Sequence, residues 1–71
     1  MTAASIEVWI NGQERAVPPG LSVAELIAHV GIAGARVAVE RNRAIVPRAD
    51  HATTRVEAGD RIELVTFVGG G

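Results

Sequence analysis

The 71-residue sequence contains no cysteine. Disulfides, thiolate metal sites, cysteine nucleophiles and a side-chain persulfide are therefore excluded. Lysine is also missing, and the seven basic residues, all arginine, are spread among eight acidic residues for a net charge of −1. Because the arginines form no basic block, no nucleic-acid partner is expected.

Long apolar runs are absent as well. A membrane-spanning helix needs roughly 20 consecutive apolar residues, and no run in the sequence approaches that length. The first residues, Met1 to Ser5, lack the basic and apolar regions of a signal peptide. These absences predict a cytoplasmic protein with no membrane partner.

The sequence nevertheless has enough apolar material for one core. Hydrophobic residues make up 48% of it, which is too much for intrinsic disorder and enough to fold without crosslinks. A chain of this length buries roughly 60% of its unfolded surface on folding. We predict a single domain over residues 1–71 that is a monomer when free.

A β-hairpin is predicted first. Apolar and polar residues alternate from Ser5 to Ile10, as in a half-buried strand. Asn11-Gly12 suits the positive backbone angles of a tight turn, so Glu14 to Val17 should return as an antiparallel strand. Pro18-Pro19-Gly20 then ends the hairpin, because proline cannot donate to a sheet ladder.

One helix follows the hairpin. Ser22 and Glu25 have the spacing of a capping box, in which each side chain accepts from the other residue's backbone N–H. Gly31 suits the left-handed residue that ends the helix. An apolar stripe at helical spacing faces the predicted core, and it comprises Val23, Leu26, Ile27 and Val30.

Three strands are predicted after the helix. They are Arg36 to Glu40, a brief strand from Ala44 to Val46 that Pro47 closes, and a long strand from Arg61 to Val68. Residues 48–54 have room for a single helical turn. The order of elements predicts an α+β protein. It is typical of the ubiquitin-like β-grasp, a mixed sheet of four to five strands packed on one main helix.

Three glycines, Gly69 to Gly71, follow the last predicted strand without a spacer. They cannot pack a core, and they form the narrowest and most flexible backbone available. Four residues extend about 13 Å beyond Phe67, enough to place a terminal carboxylate in a partner's site. Adenylation would give that carboxylate a leaving group, which a sulfur nucleophile could displace. In the absence of cysteine, the Gly71 carboxylate is the predicted attachment point for sulfur.

The chain resembles the ThiS family of sulfur carriers for thiamine biosynthesis from Glu7 to Gly71. Six segments carry the resemblance: Asn11-Gly12, Leu21-Ser22-Val23 with Leu26, Val37 to Asn42, Ile45 to Arg48, Gly59 to Glu63, and Gly69-Gly70-Gly71. The Ile-Val-Pro-Arg segment combined with the Gly-Asp turn and the glycine end is fairly specific. A terminal Gly-Gly alone would be weak.

The resemblance implies a sequence of partners. A ThiF-like enzyme would adenylate Gly71 using ATP and magnesium, and a sulfur donor protein would convert the adenylate to a thiocarboxylate. ThiG, the thiazole synthase, would receive the sulfur. The chain itself would bind no cofactor or metal and would be a protein co-substrate, not an enzyme.

The alternation of side chains along the strands leads to a separate prediction, a docking face. Trp9, Val65 and Phe67 should face away from the helix, beside Ala38, on neighbouring strands. Exposed apolar patches with aromatic anchors often mark interaction sites. The alternative is scattered surface residues, and it applies most to Trp9. Val68, Gly69 and Gly70 would complete the segment that a partner holds.

Two other functions share these features. One is a MoaD-like sulfur carrier for molybdopterin synthesis, and the other is a ubiquitin-like protein modifier. The lack of lysine argues against a modifier that builds chains, because only the N-terminal amine could accept the next copy.

Overall fold

The computed structural model describes residues 4–32 and 36–67. In chain order, the elements are β1 (Ile6–Ile10), β2 (Gln13–Val17), α1 (Val23–His29), β3 (Arg36–Arg41), β4 (Ala44–Val46), a 3-10 helix (Arg48–Asp50) and β5 (Arg61–Phe67). Each predicted strand, the helix and the single helical turn are present, with bounds shifted by one residue at several ends. Val68, predicted as the end of β5, lies outside the described residues.

The five strands form one mixed sheet in the order β2-β1-β5-β3-β4. The central strand, β5, runs parallel to β1, and every other neighbouring pair is antiparallel. First and last strands therefore lie side by side, and α1 covers one face. This confirms the predicted α+β, ubiquitin-like β-grasp fold.

Two-residue turns close both hairpins. At the β1–β2 turn, Asn11 and Gly12 have φ of 51° and 84°, and at the β3–β4 turn, Asn42 and Arg43 have φ of 52° and 71°. Positive φ at both central residues is the geometry that matches the right-handed twist of the strands. The first turn was predicted from Asn-Gly, whereas the second places an arginine where glycine is favoured.

The predicted capping box begins the helix. Ser22 Oγ accepts from the backbone N–H of Glu25 at 3.1 Å, and Glu25 Oε1 accepts from the N–H of Ser22 at 2.8 Å. The Ser22 N–H bond to the carboxylate, then the Ser22 hydroxyl and the charge of Arg55, lower the pKa of Glu25 below its ordinary value, because they favour the carboxylate form. Gly31 follows the helix at φ 89°, as predicted.

The core lies between α1 and the inner face of the sheet. It contains side chains from all five strands, three residues of the predicted helix stripe, and Val56 from the segment before β5: Val8, Ile10, Val17, Val23, Leu26, Ile27, Val39, Val46, Val56, Ile62 and Leu64. Val30, also predicted on the stripe, packs against this cluster while partly exposed. In the part of the chain described, no helix is long and apolar enough to cross a membrane.

Candidate functional site

The strand that leads to the glycine segment is anchored at its start by Asp60, which is only 5% exposed. Its carboxylate accepts from Arg41 Nε at 2.7 Å, from Asn42 Nδ2 at 3.0 Å and from the Glu57 N–H at 2.8 Å. The Asp60 carbonyl accepts from the Trp9 N–H at 2.9 Å, which joins the turn to β1. The turn before β5 is therefore bonded to both neighbouring strands.

Electrostatics favour the ionised form of Asp60. Burial alone would raise its pKa, but the hydrogen bonds from Glu57, Arg41 and Asn42, together with the charge of Arg41, lower the pKa below its ordinary value. The Gly-Asp turn, which contributes to the family resemblance, thus has a structural role at the start of β5.

Asn11 anchors β5 nearer its end. After Ile10, β1 leaves β5 to form the hairpin turn, so no strand of the described residues faces the backbone of Leu64 on that side. The Asn11 side chain takes the strand's place, accepting from the Leu64 N–H at 2.8 Å and donating to the Leu64 carbonyl at 3.1 Å. This anchor lies three residues before Phe67, the last described residue.

The predicted apolar pair on β5 faces outward. Val65 is 53% exposed and Phe67 is 56% exposed. Val65 lies directly opposite Ala38 on β3, and Ala38 is also exposed. The structure therefore brings together three of the four residues predicted for the docking face.

Trp9 does not adjoin them. It is opposite Arg61 in the parallel β1–β5 ladder, four residues before Val65, which corresponds to about 13 Å along the strand. The Arg61 guanidinium carbon lies 5.4 Å from the centre of the half-buried Trp9 ring, a cation–π arrangement. The expectation of one patch joining Trp9 to Val65 is wrong, because the register of β1 on β5 separates the two side chains.

The surroundings of Trp9 are also polar. Trp9 faces Glu14 across the β1–β2 ladder. A hydrogen bond with the Glu7 carboxyl, and then the charge of Glu7, raise the pKa of Glu14 above its ordinary value.

Ile45 is an exposed apolar residue on the outer face of the sheet, and the sequence analysis did not include it in the docking face. It is 75% exposed and lies opposite Glu40 on β3. In a three-residue strand whose last side chain, Val46, is buried, the middle side chain must face the opposite way. That alternation was the available signal, and the brevity of the strand obscured it.

Neither histidine belongs to a candidate metal site in the described residues. The His51 ring Nε2 lies 3.1 Å from the Val46 carbonyl oxygen, and His29 is exposed in the last turn of α1. Within residues 4–32 and 36–67, no group of three or more histidine, aspartate or glutamate residues is arranged to hold a metal ion.

The predicted reactive segment lies outside the described residues: Val68, Gly69, Gly70 and Gly71. The structure shows how β5, the strand before this segment, is anchored.

A mixed sheet closed over one helix, with a central last strand leading towards three glycines, defines a domain of the ubiquitin-like β-grasp class. The model of the ThiS family matches residues 8–71. This chain belongs to the ThiS family.

Similar proteins agree with that assignment. The crystal structure of the thiamine biosynthesis protein ThiS from Geobacter metallireducens superposes with a TM-score of 0.79 at 33% identity, covering 93% of this chain and 100% of that one. An uncharacterized protein, ycf40, from Porphyra purpurea is 30% identical over 71 residues, covering 100% of both chains.

One similar protein is much longer than this chain and is named as an enzyme. A thiazole synthase from Paramagnetospirillum magneticum is 44% identical over 66 residues, which are 93% of this chain and 20% of that protein. The chain thus spans about a fifth of the length of this relative.

Proposed function

We propose that this chain is the sulfur carrier for synthesis of the thiazole part of thiamine. The observation that carries the proposal is the ThiS family match from residue 8 to Gly71, which includes the three glycines. The similarity to a thiazole synthase supports the same pathway. In this proposal the chain is a protein co-substrate, and its partner enzymes supply the catalytic groups.

The reactive group is the carboxylate of Gly71. A ThiF-like enzyme using ATP and magnesium joins it to AMP with release of pyrophosphate. A sulfur donor protein then supplies the sulfur that displaces AMP, so that a carbon–sulfur bond replaces the carbon–oxygen bond to the adenylate. The resulting thiocarboxylate delivers sulfur to a ThiG-like thiazole synthase. This order of reactions requires that the Gly71 carboxylate be free in the mature protein.

The folded domain serves as the surface that both enzymes hold. Anchored by Asp60 and Asn11, β5 presents Val65 and Phe67 outward immediately before residues 68–71. Because about 13 Å of extended chain separates Phe67 from Gly71, an enzyme that binds Gly71 in its active site lies close to these two side chains. We infer that Val65, Phe67 and Ala38 form the docking face.

Intact mass spectrometry tests the proposal. The chain is incubated with the adenylating enzyme, ATP, magnesium and a sulfide source. We expect an oxygen-to-sulfur mass increment on the peptide ending at Gly71. A variant without Gly71 is the matched control and should keep its mass. Adducts on side chains of other proteins, without the increment, would instead indicate a modifier.

Pulldown separates the two kinds of carrier. The thiocarboxylated chain should bind thiazole synthase and not molybdopterin synthase. The reverse preference would assign it to the MoaD-like class.

A further inference from the structure

A groove of about 290 Å³ runs along the outer face of the sheet where β4 ends. Its apolar lining includes Ala38, Ile45 and Val65. Its polar lining consists of two acidic and two basic residues: Glu40, Glu63, Arg48 and His51. Small-molecule sites usually occupy ~300–1,000 Å³ and bury most of their ligand. A half-open groove just below that range suits protein side chains better than a cofactor.

The two glutamates are direct cross-strand neighbours. Glu40 on β3 is paired with Glu63 on β5, and both side chains are exposed on the outer face. Side chains opposed in this way have Cβ atoms about 4.5–5.5 Å apart, and like charges there destabilise the sheet. The free protein therefore carries two like charges side by side on β3 and β5, beside the docking face.

Within the described residues, no basic side chain forms an ion pair with either glutamate. The ion pair found within residues 4–32 and 36–67 joins Arg41 to Asp60, and neither Glu40 nor Glu63 lies within ion-pair distance of a described arginine. Arg48 lines the same groove but does not pair with either carboxylate. An external cation would remove the repulsion and gain two acceptors.

We propose that this groove receives an arginine side chain of the thiazole synthase, with its guanidinium between Glu40 and Glu63 and an apolar neighbour against Ile45. Arginine fits because its planar group bonds carboxylates in a fork and is weakly hydrated, so it tolerates apolar walls. The groove is continuous with the docking face through Val65, so one enzyme surface covers both. The inference rests on the proposed function.

Charge-neutral variants test the groove. Glu40→Gln and Glu63→Gln are titrated separately and together against the thiazole synthase encoded in the same genome, with Glu57→Gln as the control that removes an equal charge from the turn before β5. We expect each groove variant to raise Kd about three- to tenfold and the double variant to raise it further. The salt dependence of binding should also weaken.

Thermal stability provides a second measurement: in the groove variants Tm should rise while the affinity for the enzyme falls. Removing one charge of this pair should raise Tm by about 2–4 °C, because like charges on directly opposed cross-strand residues destabilise a small domain. A groove variant that is more stable but binds more weakly cannot owe its weak binding to misfolding. Glu57→Gln should leave Kd unchanged.

The outcomes distinguish the two proposals. If Glu40→Gln/Glu63→Gln binds with the wild-type Kd while Phe67→Asp does not bind, the arginine groove is wrong and the docking face stands. If the wild-type chain neither binds thiazole synthase nor acquires sulfur at Gly71, the proposed function is overturned together with this inference.

Discussion

The side-chain amide of Asn11 bonds to both backbone groups of Leu64, 53 residues later in the chain, at 2.8 and 3.1 Å. It continues the β1–β5 ladder by one position after β1 itself has turned away. The turn residue therefore has two roles, since its positive φ also closes the hairpin. Through this contact the first hairpin holds the strand that leads to Gly71.

Asn11→Gly should separate these roles. Glycine keeps the positive φ of the turn but leaves the Leu64 N–H and carbonyl without their partner. We expect a loss of about 1–3 kcal/mol in the free energy of unfolding, the cost of unpaired, partly buried backbone groups. Urea unfolding measures it, and hydrogen exchange at the Leu64 amide should accelerate. Wild-type stability with unchanged exchange would show that the amide contributes nothing.

Asp60→Asn should change how stability depends on pH. The pKa of Asp60 is lowered in the folded protein, so its stabilisation is present above the unfolded pKa of about 3.9 and is lost as pH falls through the folded pKa. We expect the variant to be less stable at pH 7 by about 1–3 kcal/mol, the cost of weakening hydrogen bonds to a charged group.

Below pH 4 the difference between wild type and Asp60→Asn should shrink. Glu25 is a second carboxyl with a lowered pKa and contributes in the same direction, so Glu25→Gln is the reference variant. Urea midpoints measured from pH 2 to pH 7 give both curves. Parallel curves for wild type and Asp60→Asn would contradict the assignment.

Arg43→Gly should stabilise the protein. Arg43 has φ 71° at the second position of a turn, where an L-residue costs roughly 1–2 kcal/mol and glycine loses only part of that in unfolded-state entropy. Arg43→Gln is the control, because it removes the charge and keeps the strained backbone.

The first hairpin allows the reverse experiment. Gly12→Ala has open space for its Cβ but φ 84°, so it should destabilise the protein through backbone strain alone. Thermal unfolding should show opposite shifts.

Phe67→Asp should abolish or greatly weaken binding to both partner enzymes without unfolding the domain, since the side chain is 56% exposed. Thr66→Asp is the matched control, because it places the same charge one residue away, on the opposite side of β5. The affinities of both variants are measured together with their Tm. Wild-type affinity in Phe67→Asp would show that the docking face is elsewhere.

Ser22→Ala should cost about 1 kcal/mol, because it removes a helix cap. The loss should be coupled to that of Glu25→Ala, since each side chain bonds to the other residue's backbone. A double-mutant cycle by urea unfolding gives the coupling. Fully additive losses would show that the two bonds act independently.

Local features could be predicted from the sequence because each depends on residues a few positions apart. The alternation in β1, the turn at Asn11-Gly12 and the box of Ser22 with Glu25 are all of this kind, and the structure has them. The order of elements, together with the family resemblance, then indicated the β-grasp.

Tertiary structure decided which distant residues meet, because strand register is a property of two segments and not of either one. It separated Trp9 from Val65, exposed Ile45, set Glu40 opposite Glu63 and put the Asn11 amide on Leu64. The sequence by itself determined the elements, their inward faces and the glycine segment. Only the packing of β5 between β1 and β3 determined the surface presented beside that segment.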